Sequence, residues 1–383
     1  MKKVAMKTMQ KTINTLFILV LTISLMAGCA SVGEVPDSSD TGIPIDYTAP
    51  GTTEPASDAE AGTEEHDSGD FSDIKIAMVS DTAGINDQAF NQSAWEGMQK
   101  TADSFGVRIS YKESTQNADY IPNLETMYYD SNDLIWGIGF SMADAILEAA
   151  RNNPDQNYAI IDAGGWEDTP PNLLGVSFKA EDSGFLVGYI AGKMTETDMI
   201  GFVGGMSMPT LWQFECGFRA GVRYANPNAD VNVQYAESFT DVAKGKSIAT
   251  GMFVQGVDII FHAAAGLGDG VIEAAREQGK WAIGVDRDQN YLAPDNVLTS
   301  AMKRVDNALY NVNKDLIEGN FQGGRTIVYG LTEGAVGIAP SSDKNVPAHI
   351  LSEVDEVEQR IINGEITVPG DYEALDAFFA SMN

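Results

Sequence analysis

The chain has 383 residues, a formal net charge of -31, three histidines and two cysteines. So negative a surface repels nucleic acid and anionic lipid and favours neutral or cationic ligands, which sets nucleic-acid binding aside. His66, His262 and His349 are scattered and there is no cysteine pair, so no metal site is credible and no cofactor is expected.

Lys2, Lys3, Lys7 and Lys11 form a basic leader without an acidic residue, followed by an apolar run over 16–26. That run falls short of the ~20 apolar residues a bilayer span needs, so it reads as a signal-peptide core. It closes on Leu25-Met26-Ala27-Gly28-Cys29. A lipoprotein signal peptidase accepts small residues there, because its pocket must admit them beside the thiol to be acylated. Residues 1–28 are therefore expected to be a cleaved lipoprotein signal peptide, with lipid on Cys29 holding the protein at the extracytoplasmic face of a bacterial membrane. Ordinary secretion with nearby cleavage and a retained N-terminal helix are the alternatives. With Cys29 acylated, Cys216 is a single thiol and reads as a small buried hydrophobe.

Residues 29–72 are Ser, Asp, Glu, Thr, Gly and Pro with almost no large apolar side chain. Such a stretch cannot bury enough surface to offset its ordering entropy, and it reads as a disordered acidic tether.

From residue 74 onward, short apolar runs at 74–80, 107–112, 133–137, 158–162, 199–204, 231–235, 257–262 and 281–286 alternate with amphipathic stretches. Phe90, Ala94, Met98, Ala102 and Phe105 recur at helical spacing, as do Phe214, Phe218, Val222 and Ala225. This alternation predicts an α/β fold with parallel sheets, and the length suits two doubly wound lobes around a central cleft. The expected lobes are 73–176 with about 300–325, and 177–299 with about 326–383. An internal echo supports them. Each lobe's first strand leads through a loop to a phenylalanine, Phe90 or Phe214, with Gly97 or Gly221 seven residues later. Loops at strand carboxyl ends bind ligands in open α/β sheets, which would put Phe90 and Phe214 on opposite walls.

The densest polar cluster is Asp81, Asn86, Asp87, Asn91 and Gln92 around Phe90. Asn86 or Asp87 can cap the following helix, but one cap leaves most of the cluster unexplained. Amides and carboxylates at a helix mouth can meet a heteroaromatic base edge while a phenyl ring stacks on its face. Asp162 and Asp286 end predicted strands, where a carboxylate can accept from a vicinal diol or serve as a plain turn former. Gly266-Leu267-Gly268-Asp269-Gly270 lacks the spacing of a nucleotide fingerprint and reads as a tight turn permitting close backbone approach. Gly245-Lys246-Ser247 reads as an ordinary helix surface, and Lys303, taken alone, as a solvated helix charge. No Gly-x-Ser-x-Gly elbow or activated nucleophile appears, so an enzyme is not expected.

Residues 87–97 (Asp87-Gln88-Ala89-Phe90-Asn91-Gln92-Ser93-Ala94-Trp95-Glu96-Gly97) resemble the signature of the basic membrane protein family, which includes purine nucleoside receptor lipoproteins. Phe214-Glu215-Cys216-Gly217-Phe218, Ile283-Gly284-Val285-Asp286 and Thr299-Ser300-Ala301-Met302-Lys303-Arg304-Val305 extend the likeness, which covers about 74–365. The resemblance implies a type I periplasmic-binding-protein fold that captures a purine nucleoside (inosine, guanosine or adenosine) and delivers it to an ABC transporter permease. A monomer is expected. In the nucleoside-binding members two aromatic rings hold the base. By motif position the resemblance assigns these to Phe90 and Phe214, with Phe218 as the alternative to Phe214. The resemblance further makes Asp81, Asn91 and Asp162 candidates for the base edge or the near side of the ligand, and assigns Asp286, Lys303 and the turn at Gly266 to the ribose hydroxyls. Trp166, in a less typical segment, could add a wall. Another small solute (a sugar, a flavin or a signalling molecule) and a surface adhesin that has kept the fold are the rival readings.

Overall fold

The computed structural model describes residues 71–382. The predicted signal peptide, the lipidation site Cys29 and nearly all of the predicted tether lie outside them.

In chain order the first half comprises β1 (Lys75–Val79), α1 (Phe90–Phe105), β2 (Arg108–Lys112), α2 (Tyr120–Tyr129), β3 (Leu134–Ile138), α3 (Ala143–Asn152), β4 (Asn157–Ile161), β5 (Leu173–Phe178) and α4 (Ala180–Met194). The second half comprises β6 (Met199–Gly204), α5 (Pro209–Ala225), β7 (Asp230–Tyr235), α6 (Val242–Val254), β8 (Ile259–Ala263), α7 (Gly268–Gln278), β9 (Trp281–Asp286) and β10 (Val297–Lys303). The chain then continues through α8 (Val305–Ile317), β11 (Arg325–Tyr329), β12 (Val336–Ile338), α9 (Ala348–Ile362) and α10 (Tyr372–Ser381).

Two six-stranded sheets result, in the orders β11-β5-β4-β3-β1-β2 and β12-β10-β9-β8-β6-β7. Among the described residues every pairing between these strands is parallel except β10 with β12, and one isolated antiparallel bridge joins Ala163 to Val176. The central strands β3 and β8 are buried at every position, as strands covered by helices on both faces must be. The expected architecture of two doubly wound parallel lobes is the one observed.

The lobe boundaries differ from expectation in detail. Strand β10 pairs along its length with β9, so residues 300–303 belong to the second sheet rather than the first. Strand β11 pairs with β5, so residues 326–329 belong to the first. Residues 177 and 178 likewise finish β5 in the first sheet. A crossover inside a strand would leave ladder groups unpaired. The chain instead crosses where strands have ended, and the linkers are pinned to one another: Lys179 N donates to Tyr329 O (2.8 Å) and Arg304 N to Ala335 O (2.7 Å).

The internal echo does not hold at the residues that suggested it: the correspondence between the lobes is offset by one helical turn. Helices α4 and α8, each following a crossover, lie against α5 and α1. A Cβ on Gly217 would meet Glu181 O at 2.1 Å, and one on Gly97 would meet Asp306 O at 2.5 Å. Glu181 and Asp306 occupy the same place relative to the ends of β5 and β10, so Gly97 corresponds to Gly217 rather than Gly221. Phe90 then corresponds to Thr210, and Phe214 sits one turn farther along its helix.

Candidate functional site

Strand β1 ends at Val79 and the chain enters a loop that returns as α1. Asp87 is the anchor of that return. Its carboxylate accepts from the backbone N–H groups of Ala89 (3.0 Å), Asn91 (2.9 Å) and Gln92 (3.0 Å), three donors the helix itself cannot satisfy. Asn91 is fully buried, and its Nδ2 donates to Asp81 Oδ1 (2.8 Å) and Asp87 Oδ2 (3.2 Å). The Asn91 Oδ1 has no hydrogen-bond partner among the described residues. Burial is the main cause that pushes Asp81 up to about 6, against the bonds from Ala83 N and Asn91 that favour its ionised form.

Asp162 and Asp286 stand at the carboxyl ends of β4 and β9, and both have a left-handed backbone φ of 64°. Short polar side chains tolerate that conformation best after glycine. Between them reaches Lys303, the last residue of β10. Its Nζ lies 2.7 Å from Asp162 Oδ2 and 3.8 Å from Asp286 Oδ1, with only 3% of the lysine side chain exposed. Burial opposes the ammonium charge, but the two carboxylates outweigh it and Lys303 titrates above its ordinary value. Asp286 is the less satisfied acid. Burial pushes it up to about 7, Lys303 only partly offsets this, and Oδ1 accepts no hydrogen bond among the described residues.

These groups converge on one cleft with about 530 Å³ of atom-free space. Seven of the eight expected site residues line it: Asp81, Phe90, Asn91, Asp162, Phe214, Asp286 and Lys303. The Lys303 ammonium lies 4.6 Å from the Phe90 ring centre and 5.7 Å from that of Phe214, so an aromatic face from each lobe borders the same charge. Gly266 does not line the cleft. Its neighbours Ala263, Ala264 and Ala265 do, because the backbone turns away after the end of β8, and a Cβ on Gly266 would meet Phe239 O and Asp87 O. Phe218 is fully buried in the second lobe, packed on Phe202 and Phe261, so of Phe214 and Phe218 only Phe214 lines the cleft. Trp166 packs on the first lobe's core and is absent from the cleft wall. Cys216 is buried, and burial pushes its thiol up to about 12.

Several wall residues escaped the sequence reading, among them Phe140, Leu211 and Phe239. Phe140 follows the end of β3 and could have been found by the strand-end rule that picked out Asp162. Phe239 lies in an irregular loop after β7, where no period marks it.

At the rim the lobes touch directly. Arg287 pairs with Glu96 (2.5 Å), Gln289 Nε2 donates to Gln88 O (3.2 Å), and the Tyr291 hydroxyl donates to Gln88 Oε1. Among the described residues no group of three or more His, Cys, Asp or Glu could hold a metal ion, and no helix is long and apolar enough to cross a membrane.

A two-lobed α/β body with a polar and aromatic cleft at the strand ends is suited to holding a small solute. The family described as ABC transporter substrate-binding protein PnrA-like (Bmp) matches residues 74–372. The chain belongs to this family. It is 42% identical over 318 residues to the CD4+ T-cell-stimulating antigen of Listeria monocytogenes, covering 78% of this chain and 88% of that protein. Basic membrane protein A of Borreliella burgdorferi is 41% identical over 308 residues, covering 79% of this chain and 90% of its own. Among solved structures, a solute-binding protein of an ABC transporter system from Aeropyrum pernix K1 superposes with a TM-score of 0.72 at 28% identity, covering 79% of this chain and 96% of that one. The family and this neighbour are substrate-binding proteins rather than enzymes, so the chain's role is to bind a solute for an ABC transporter. As a Bmp-family member it has a type I periplasmic-binding fold.

Proposed function

We propose that this protein is a lipid-anchored, extracytoplasmic receptor that captures a purine nucleoside between its lobes and hands it to an ABC transporter permease. The observation that carries the reading is the pair of rings, Phe90 from the first lobe and Phe214 from the second, bordering a single charged centre of Lys303, Asp162 and Asp286. Flat rings from two sides suit a flat base. The unpartnered Asn91 Oδ1 and the Asp81 carboxyl suit its hydrogen-bonding edge, and the unpartnered Asp286 Oδ1 suits a ribose hydroxyl. The anchor rests on the basic leader and the small residues before Cys29.

In this reading an open form meets ligand on one lobe, and closure brings the other ring onto the base. Each stacking contact contributes about 1–3 kcal/mol, and a hydrogen bond to a charged group about 1.5–3 kcal/mol. Closure and ordering offset part of that gain. The ligand leaves unaltered.

The test is isothermal titration of the compact body from Phe71 onward, unfolded and refolded to strip carried-over ligand, with inosine, guanosine, adenosine, cytidine and ribose. Purine nucleosides should bind, and Phe90→Ala should weaken them by about tenfold or more. A folded, ligand-free sample that gives no heat with any nucleoside would sink the proposal and turn the search to sugars, flavins or a protein partner.

A further inference from the structure

A second space adjoins the cleft between the two rings, with three residues common to both walls. This wider space of about 1170 Å³ opens to solvent and shares Asp81, Phe140 and Phe239 with the cleft wall. It runs out between the lobes past Ser141 and Asp144 on one side and Ser238 and Thr240 on the other. Asp162, Asp286 and Lys303 border the inner cleft alone. The groove therefore lies on the Asp81 side of the cleft, away from the charged centre.

Asp81 is built to face both spaces. Its Oδ1 is held by Ala83 N (2.9 Å) and Asn91 Nδ2 (2.8 Å), whereas Oδ2 accepts no hydrogen bond among the described residues. Farther out, the Thr240 hydroxyl can donate or accept, Ser238 Oγ already accepts from Thr240 N and Asp241 N and keeps its proton to donate, Ser141 Oγ is paired with the Tyr120 hydroxyl, and Asp144 adds a second carboxylate. The groove wall contains no Lys, Arg or His, so its field is negative and it repels an anionic group entering from the cleft.

We propose that this groove is a second subsite, one that receives a neutral or cationic chain carried on the base of a bound nucleoside. The receptor then takes base-modified purine nucleosides, alkylated or aminoalkylated on the exocyclic amine, and discriminates against an anionic substituent at the same place. The proposal rests on the nucleoside reading of the cleft, in which the base edge lies against Asp81 and Asn91.

The experiment titrates the full-length chain with adenosine and guanosine, with each nucleoside bearing an aminohexyl or a carboxypentyl chain on its exocyclic amine, and with adenosine bearing the aminohexyl chain on the ribose. The base-linked aminohexyl forms should bind within about tenfold of their parent, and the carboxypentyl and ribose-linked forms should be more than about tenfold weaker. Thr240→Trp narrows only the groove, so it should weaken the base-linked aminohexyl forms by more than about tenfold and leave the parents within about threefold. The inference is overturned if the parents bind while their base-linked aminohexyl forms do not. It is overturned equally if Thr240→Trp affects parent and derivative alike, or affects neither. Failure of both unmodified nucleosides to bind removes the underlying receptor reading as well.

Discussion

Asp162 and Asp286 hold matching places in the two lobes, at the ends of β4 and β9, with the same left-handed φ of 64°, and share one buried lysine. The sharing is unequal. Lys303 Nζ is 2.7 Å from Asp162 Oδ2 and 3.8 Å from Asp286 Oδ1, so the cross-lobe bond to Asp162 is short and Asp286 keeps an oxygen free. Because Lys303 ends a strand of the second sheet and Asp162 follows one of the first, this pair also ties the lobes together.

Removing the cation should therefore be costly. Lys303→Met keeps much of the apolar stem but leaves Asp162 and Asp286 buried near each other without a counter-charge. Breaking a buried pair in this way costs about 3–5 kcal/mol. Urea unfolding of the ligand-free protein reads the loss. The double variant Lys303→Met with Asp162→Asn should recover at least about 1 kcal/mol of it. A loss below about 1 kcal/mol in the single variant would mean that the attraction no more than balances the cost of burying the charges.

The same burial sets a pH dependence. Asp286 is pushed up to about 7 and Asp81 to about 6, with burial the leading cause in both, from an ordinary value of 3.8. Glu181, also raised mainly by burial, reaches about 7. A folded state that binds protons more tightly than the unfolded chain is favoured by acid. The Asp286 contribution is thus complete below about 4 and is lost as pH rises through about 7. The unfolding midpoint of the ligand-free body should fall between about pH 5 and pH 8. Asp286→Asn, neutral throughout, should reduce that slope, and an unchanged slope would place the titration elsewhere.

Much of this arrangement was readable from the chain, for identifiable reasons. Buried parallel strands are short continuous apolar runs, so β3, β4, β6, β8 and β9 announce themselves, and Asp162 and Asp286 follow because they close such runs. Strand β5 hid behind Gly175, which is glycine because a Cβ there would meet Ala163 O at 2.7 Å. Strand β11 carries the half-exposed pattern of an edge, and β12 has three residues. The lobe boundaries were misplaced for the same reason, since they depend on which sheet those weak strands join. The Lys303–Asp162 pair spans 141 positions and leaves no local trace. Lys303 taken by itself read as a solvated charge, and only the family likeness drew it into the site.

The helix contacts give a prediction with its own control. At Gly217 an added Cβ would meet Glu181 O at 2.1 Å, backbone that a rotamer change cannot move aside. Gly217→Ala should cost about 1–3 kcal/mol, as overpacking does. Gly251, inside α6, has nothing within 4 Å of the same position. Gly251→Ala should stabilise the protein by about 0.4–1 kcal/mol by restricting the unfolded chain. Thermal unfolding of the two variants side by side should move in opposite directions. Equal shifts would show that α4 and α5 can part without cost.

The rim pair of Glu96 and Arg287 tests whether the lobes separate when ligand leaves. The two residues come from opposite lobes, with side chains 41% and 20% exposed, so their pairing is worth no more than about 1 kcal/mol. If release requires the lobes to part, Glu96→Gln should raise the dissociation rate of a bound purine nucleoside by up to about fivefold and leave the association rate nearly unchanged. Added salt should shrink the difference, because a half-exposed pair is screened. Stopped-flow displacement measures both rates. A change confined to association would mean that the charges act on the approaching ligand and that the lobes do not need to part there. An unchanged pair of rates would place the closing contacts at Lys303 and Asp162, deeper in the cleft, where solvent does not weaken them.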